Sequence, residues 1–157
     1  MDEAKEKKEL LERAQQLCSG REYCVSEINS LLGRWGTTDE ATKAEIIARL
    51  KEERFIDEVR YCSAFTRDHF RYNQWGRMKI SMMLKAKKIS DADISAGLEA
   101  IDGDEYLDLL RKIIVTQQKK IKAKNRFDLK GKLLRHALGK GFESHLVYDV
   151  INSLFRD

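Results

Sequence analysis

Apolar residues recur along this chain three or four apart, in short runs that stop and then start again. Leu10, Leu11, Ala14, Leu17 and Cys18 form a first stripe, which predicts a helix over residues 3–18 that Ser19 and Gly20 end. Ile28, Leu31, Leu32 and Trp35 form a second, over about Val25 to Arg34, closed by Gly36. Thr37, with Glu40 three residues on, reads as a capping box that opens a third helix with Ile46, Ile47 and Leu50 on its stripe.

The plan then repeats. Asp57 is the expected cap of a helix carrying Val59, Cys62, Phe65 and Phe70, and Asn73 to Gly76 reads as a turn. A helix from about Trp75 to Lys87 carries Ile80, Met83 and Leu84, and one starting at Ser90 carries Ile94, Leu98 and Ile101. After Gly103, residues Tyr106, Leu109, Leu110, Ile113, Ile114 and Ile121 mark a long helix whose second half, Gln117 to Arg126, is polar and basic. Leu129, Leu133, Leu134 and Leu138 mark the next, ended by Gly139 and Gly141, and Leu146, Val147, Val150, Ile151 and Leu154 mark the last.

Written beneath one another, the units align at a period of about 52 residues. Ile28, Ile80 and Leu133 correspond, as do Leu32, Leu84 and Ala137, then Ile46 or Ile47 with Leu98 and Ile151, and last Leu50, Ile101 and Leu154. The expected fold is all-α: three tandem three-helix-bundle repeats of helix-turn-helix plan, over residues 1–55, 56–102 and 103–157. Each unit is near the lower size limit for burying a core of its own, which predicts an elongated, curved array of units leaning on one another.

Composition agrees with helices, since the chain of 157 residues has no proline and its nine glycines fall mostly between the periodic segments. No apolar run nears the roughly 18 residues that span a bilayer, and the start, Met1-Asp2-Glu3-Ala4-Lys5-Glu6, is too charged for a signal peptide, so the expected location is the cytoplasm. Cys18, Cys24 and Cys62 have no Cys-x-x-Cys spacing, and neither they nor His69, His136 and His145 are spaced as a zinc site, so buried free thiols and no metal are expected. No phosphate loop, nucleophile elbow, His-Glu-x-x-His or pair of carboxylates in a perturbing setting is present, which argues against an enzyme and against a cofactor.

Charge changes the picture more. The formal net charge is only +4, but residues 67–88 carry seven Lys or Arg against one Asp, and residues 89–110 carry seven acids and no base. Residues 111–140 then carry eleven bases against Asp128 alone, a net of +10, and a polyanion is the usual partner for such a field. The acids Asp91 and Asp93 fall in the first turn of a helix, where exposed amides favour negative charge, so part of the acidic block has a local cause.

The candidate binding residues are therefore basic. Arg71, Arg77 and Lys79 flank the middle turn beside Tyr72 and Trp75, and Lys85, Lys87 and Lys88 continue that polar face. Lys119, Lys120, Lys122, Lys124, Arg126, Lys130, Lys132, Arg135 and Lys140 form the denser patch, expected to supply most of the salt-dependent affinity. Trp75 and Phe70 are read as anchors of a helix junction, and Met78, Met82 and Met83 as core or groove filler.

The stretch Phe55, Ile56, Asp57, Glu58, Arg60, Tyr61, followed by Phe70, Arg71, Trp75, Gly76, Ile80, Leu84, Lys87 and Ile89, resembles the RecX family of bacterial regulators of the recombinase RecA, with matching spacing and no gap. Arg21-Glu22-Tyr23 ahead of Ser26-Glu27-Ile28, and Gly141-Phe142 before the last helix, resemble the family's tandem repeats, so the likeness covers nearly the whole chain. It departs at Arg34-Trp35-Gly36-Thr37, where the family has Arg-Gly-Phe, and at Lys88, where it has glycine. The resemblance implies a non-enzymatic monomer without cofactor that lies along the RecA filament on single-stranded DNA. It would inhibit recombinase, ATPase and coprotease activities, with consequences for DNA repair and the SOS response. Weak direct binding to single-stranded DNA would accompany this.

A rival reading is a helix-turn-helix DNA reader acting without RecA, because three helices with a short turn share that plan. The last helices of the second and third units, Asp91 to Ile101 and Glu143 to Phe155, are acidic or apolar, unlike helices that read bases in the major groove. A scaffold without a nucleic-acid partner would leave the basic block unexplained.

Overall fold

The computed structural model describes residues 2–156. Among them lie nine α-helices and no strand: α1 Glu3–Gly20, α2 Val25–Arg34, α3 Glu40–Glu52, α4 Glu58–Asn73, α5 Arg77–Ala86, α6 Asp91–Leu98, α7 Gly103–Lys120, α8 Arg126–Gly139 and α9 Ser144–Leu154.

Three helix ends differ from the sequence expectation. Helix α1 runs on through Gly20. Helix α3 is capped by Asp39 and not by a Thr37 capping box: the Asp39 carboxylate accepts from the Ala41 N–H at 3.2 Å and the Thr42 hydroxyl at 2.8 Å. Thr37 is instead buried, its N–H donating to the Leu32 carbonyl at 3.0 Å. Helix α7 stops at Lys120, so Lys122 and Lys124 lie in the loop before α8 and not on a helix that continues to Arg126. Asn125 opens α8 by accepting from the Asp128 N–H at 2.8 Å.

The chain divides into two compact units. One comprises the chain up to Ala64 together with Leu84–Gly97, and the other comprises Phe65–Met83 and the chain from Leu98 onward.

In the first unit α1 and α2 both pack on α3, and Ala14, Ile28, Leu32, Ile46, Leu50 and Ile56 form a buried cluster. The Phe55–Tyr61 motif is architectural here. Ile56 and Tyr61 are buried, Asp57 caps α4 by accepting from the Arg60 N–H at 3.0 Å, and Glu58 accepts from the Val25 N–H at 3.2 Å. Arg60 clamps Glu22 at 2.6 Å and the Arg54 carbonyl at 3.1 Å, at a turn where Arg54 has φ 62°. Gly97 of α6 lies against Cys62 of α4, where a Cβ would come within 2.2 Å of the cysteine Cβ. Burial pushes the Cys62 thiol up to about 12 and raises Cys18 and Cys24 as well, which disfavours the reactive thiolate at all three, although Cys18 is only half-buried.

In the second unit α7, α8 and α9 pack on one another, burying Tyr106, Leu110, Ile114, Leu133, Ala137, Phe142, Val147 and Ile151. The repeat register shows in burial: Ile28, Ile80 and Leu133 are all buried, and so are Leu32, Leu84 and Ala137. It shows also in the backbone, because Gly36, Lys88 and Gly141, each just past the second helix of its repeat, have φ of 100°, 64° and 97°. Met78, Met82 and Met83 are not core filler; they are exposed, at 58%, 65% and 39%. Trp75 and Phe70 are half-buried.

Candidate functional site

The dense basic patch belongs to the second unit, at the end of α7, in the following loop and along α8. Lys119 and Lys120 close α7, where cations also complement the exposed carbonyls of a helix end. The loop returns Lys122 to α8: Lys132 donates to the Lys122 carbonyl at 2.8 Å and pairs with Asp128 at 3.3 Å. Asp128 also accepts from the Lys124 N–H at 3.0 Å. That bond, then Lys132 and at longer range Arg135, holds the Asp128 carboxyl below its ordinary range. The single acid of the patch is thus already engaged.

His136 of α8 senses two further members. Burial lowers its pKa, and the charges of Lys140 and then Lys120 lower it further. Lys120, Lys122, Lys124, Lys132, Arg135 and Lys140 therefore share one electrostatic neighbourhood drawn from α7, the loop and α8. Arg126 and Lys130 turn to another flank, each 5.3 Å from the Phe155 ring. Phe127, which the sequence reading passed over, is 88% exposed beside them. A lone aromatic between basic residues in the first turn of α8 was the available signal.

The middle corner is more structural than its sequence indicated. Arg77, without an acidic neighbour in sequence, pairs with Glu143 at 2.8 Å and lies over the Tyr106 ring at 3.9 Å. Its backbone N–H donates to the Tyr106 hydroxyl at 2.9 Å, and that hydroxyl donates in turn to Glu143. Burial pushes the Tyr106 phenol up, and the bond to Glu143 adds to the rise. Trp75 is stacked on His69 at 4.2 Å and has Lys79 4.7 Å from its ring. Arg71 is exposed. Lys85, Lys87 and Lys88 belong to the first unit, where Lys85 pairs with Asp91 at 3.4 Å and Lys87 with Glu27 at 3.4 Å. Among the described residues no helix is long and apolar enough to cross a membrane, and no group of His, Cys, Asp or Glu is placed to hold a metal ion.

The chain has counterparts among known proteins. Residues 57–98 match the family described as RecX, second three-helix domain, and residues 104–151 match RecX, third three-helix domain. The chain belongs to the RecX family. It is similar to the regulatory protein RecX of Clostridium tetani, 34% identical over 119 residues, which cover 74% of this chain and 54% of that protein. It is also similar to the regulatory protein RecX of Chlorobaculum tepidum, 28% identical over 151 residues, covering 96% of this chain and 91% of that one. The chain spans about half the length of the first curated relatives it matches, 42% to 54%. The crystal structure of RecX from Lactobacillus salivarius superimposes with a TM-score of 0.86 at 18% identity, covering 96% of this chain and 97% of that one, which shows a shared fold. RecX is a family of regulatory proteins, and the all-helical three-helix domains expected from the repeats are those of RecX.

Proposed function

We propose that this RecX-family chain binds the RecA filament assembled on single-stranded DNA and restrains its recombinase, ATPase and coprotease activities, as a cytoplasmic monomer that catalyses nothing. Three repeats, over residues 1–55, 56–102 and 103–157, are part of the same proposal. The observation that carries it is the basic patch of the second unit, with Lys120, Lys122, Lys124, Lys132, Arg135 and Lys140, from a stretch of sequence, residues 111–140, that holds one acid, Asp128, itself engaged by Lys124 and Lys132. An unneutralised field of this kind suits DNA phosphate exposed in a nucleoprotein groove, and several weak contacts add through effective concentration. Phe127, exposed beside the cations, adds the aromatic face that single-strand binders use. Base reading in the manner of helix-turn-helix proteins gains nothing from α6 or α9, whose exposed positions hold no Arg or Lys.

The test is a titration of RecA's ATP turnover on single-stranded DNA. Turnover is expected to fall at well below one copy of this chain per recombinase subunit; unchanged turnover at equimolar protein rejects the proposal.

A further inference from the structure

The first unit contains an open groove of about 850 Å³ that the basic patch above does not explain. Six cations line it, Arg13, Arg21, Arg34, Lys51, Lys87 and Lys88, against two acids, Glu27 and Glu58. Both acids are committed: Glu58 accepts from the Val25 N–H, while Glu27 accepts from the Cys24 N–H at 3.1 Å and takes Arg21 at 3.7 Å and Lys87 at 3.4 Å. Arg13, Arg34, Lys51 and Lys88 are left with no carboxylate in ion-pair reach among the described residues. Two aromatic rings also line the groove, each with a guanidinium lying on it: Arg13 is 4.0 Å from the Trp35 ring centre and Arg21 is 3.7 Å from that of Tyr23.

Lys88 adds an independent observation. It occupies the left-handed backbone region at φ 64°, at the repeat position that Gly36 and Gly141 fill in the other repeats, where glycine alone is unstrained. Lys88 is the one of these three positions that lines the groove.

We infer that the groove seats a stretch of single-stranded nucleic acid, with phosphates on Arg34, Lys51 and Lys88 and bases on the Arg13–Trp35 and Arg21–Tyr23 stacks. The excess of cations over acids favours an anionic partner, and the two guanidinium groups lying over aromatic rings favour one that also carries planar bases, which an acidic peptide does not. The inference shares single-stranded DNA with the proposed function but uses a different unit and different residues.

Trp35 reports on the groove directly, because the chain has two tryptophans and Trp75→Phe leaves only Trp35. That variant is titrated with oligothymidylate, with an abasic strand of equal length and with polyglutamate. Trp35 emission is expected to be quenched by oligothymidylate, which should bind about tenfold or more tighter than the abasic strand, as one stacked base is worth. Arg34→Gln and Lys51→Gln are each expected to flatten the salt dependence by roughly 0.7 in log–log slope. Lys88→Gly should weaken binding while raising the unfolding midpoint, opposite shifts that a purely structural lysine would not produce. Unchanged Trp35 emission while a labelled oligothymidylate binds overturns the groove but leaves the second-unit patch standing. Equal quenching by polyglutamate, equal affinity for the abasic strand, or no binding of any strand overturns it too.

Discussion

Gly76 and Gly141 meet backbone to backbone in the second unit. The Gly76 N–H donates to the Lys140 carbonyl at 2.8 Å and the Met78 N–H to the Gly141 carbonyl at 2.9 Å, so the α5 entry and the α8 exit dock without side chains between them. A Cβ on Gly76 would come within 2.4 Å of the Gly141 carbonyl group, and one on Gly141 within 2.3 Å of the Lys79 Cβ. Backbone cannot yield as a flexible side chain does. Gly76→Ala is therefore expected to destabilise by about 1–3 kcal/mol in urea unfolding. Gly103→Ala, where a Cβ meets nothing within 4 Å, should be neutral or gain up to about 1 kcal/mol. Equal behaviour of the two variants would show that this close approach does not constrain the fold.

The cations should separate by what their removal costs. Arg77→Gln leaves Glu143, whose side chain is 18% exposed, without its cation, and is expected to cost about 1–3 kcal/mol in denaturant unfolding. Lys120→Gln removes an exposed charge and should stay within about 0.5 kcal/mol. If Arg77→Gln is as mild as Lys120→Gln, Arg77 is a surface cation after all.

Lys88→Gly is expected to stabilise the chain by about 1 kcal/mol, since a side chain in the left-handed region costs roughly that much and Lys88 is exposed with no ion pair to lose. A urea midpoint that does not rise would mean some contact of the lysine offsets the strain.

Much of the fold was legible because each helix carries an apolar stripe at its own period, and Ile28, Ile80 and Leu133 are buried as their register required. Helix ends were less legible. Thr37 and Asp39 both sit ahead of α3, and only the turn at Gly36, φ 100°, decides that Thr37 is buried and Asp39 caps. The end of α7 carries no glycine, so a polar helix and a polar loop read alike across Lys120 to Asn125. At the candidate site the basic block was legible as charge, but its pairing was not. Arg77 and Glu143 are 66 residues apart, and only tertiary packing brings them together. Met78 and Met82 failed differently: they keep helical spacing, yet face out of α5, because periodicity fixes a shared face and not what covers it.

Lys119, Lys120, Lys122 and Lys124 should lower affinity for single-stranded DNA and flatten its salt dependence when all are exchanged for Gln. Each lysine that meets a phosphate contributes about 0.7 to the log–log slope, so the quadruple variant is expected to lose up to about 3. Anisotropy of a labelled oligothymidylate across a salt series measures it. An unaltered slope would remove these four from the interface.

His136 gives the patch a pH dependence with a definite sign. Its folded pKa lies below the ordinary 6.5, from burial first and then from Lys140 and Lys120, so the folded chain resists a proton that the unfolded chain accepts. The stability this holds is present above the ordinary value and is lost as pH falls from about 6.5 toward the folded pKa. Wild type should therefore lose stability over that window relative to His136→Asn, in unfolding series at matched salt. A phosphate seated near Lys120 and Lys140 offsets the part of the lowering that those charges add to burial, so oligothymidylate is expected to move the His136 titration upward. NMR of the His136 ring protons measures it. A His136 titration that ignores the oligonucleotide would place the bound phosphates away from Lys120 and Lys140, and with them the centre of the proposed interface.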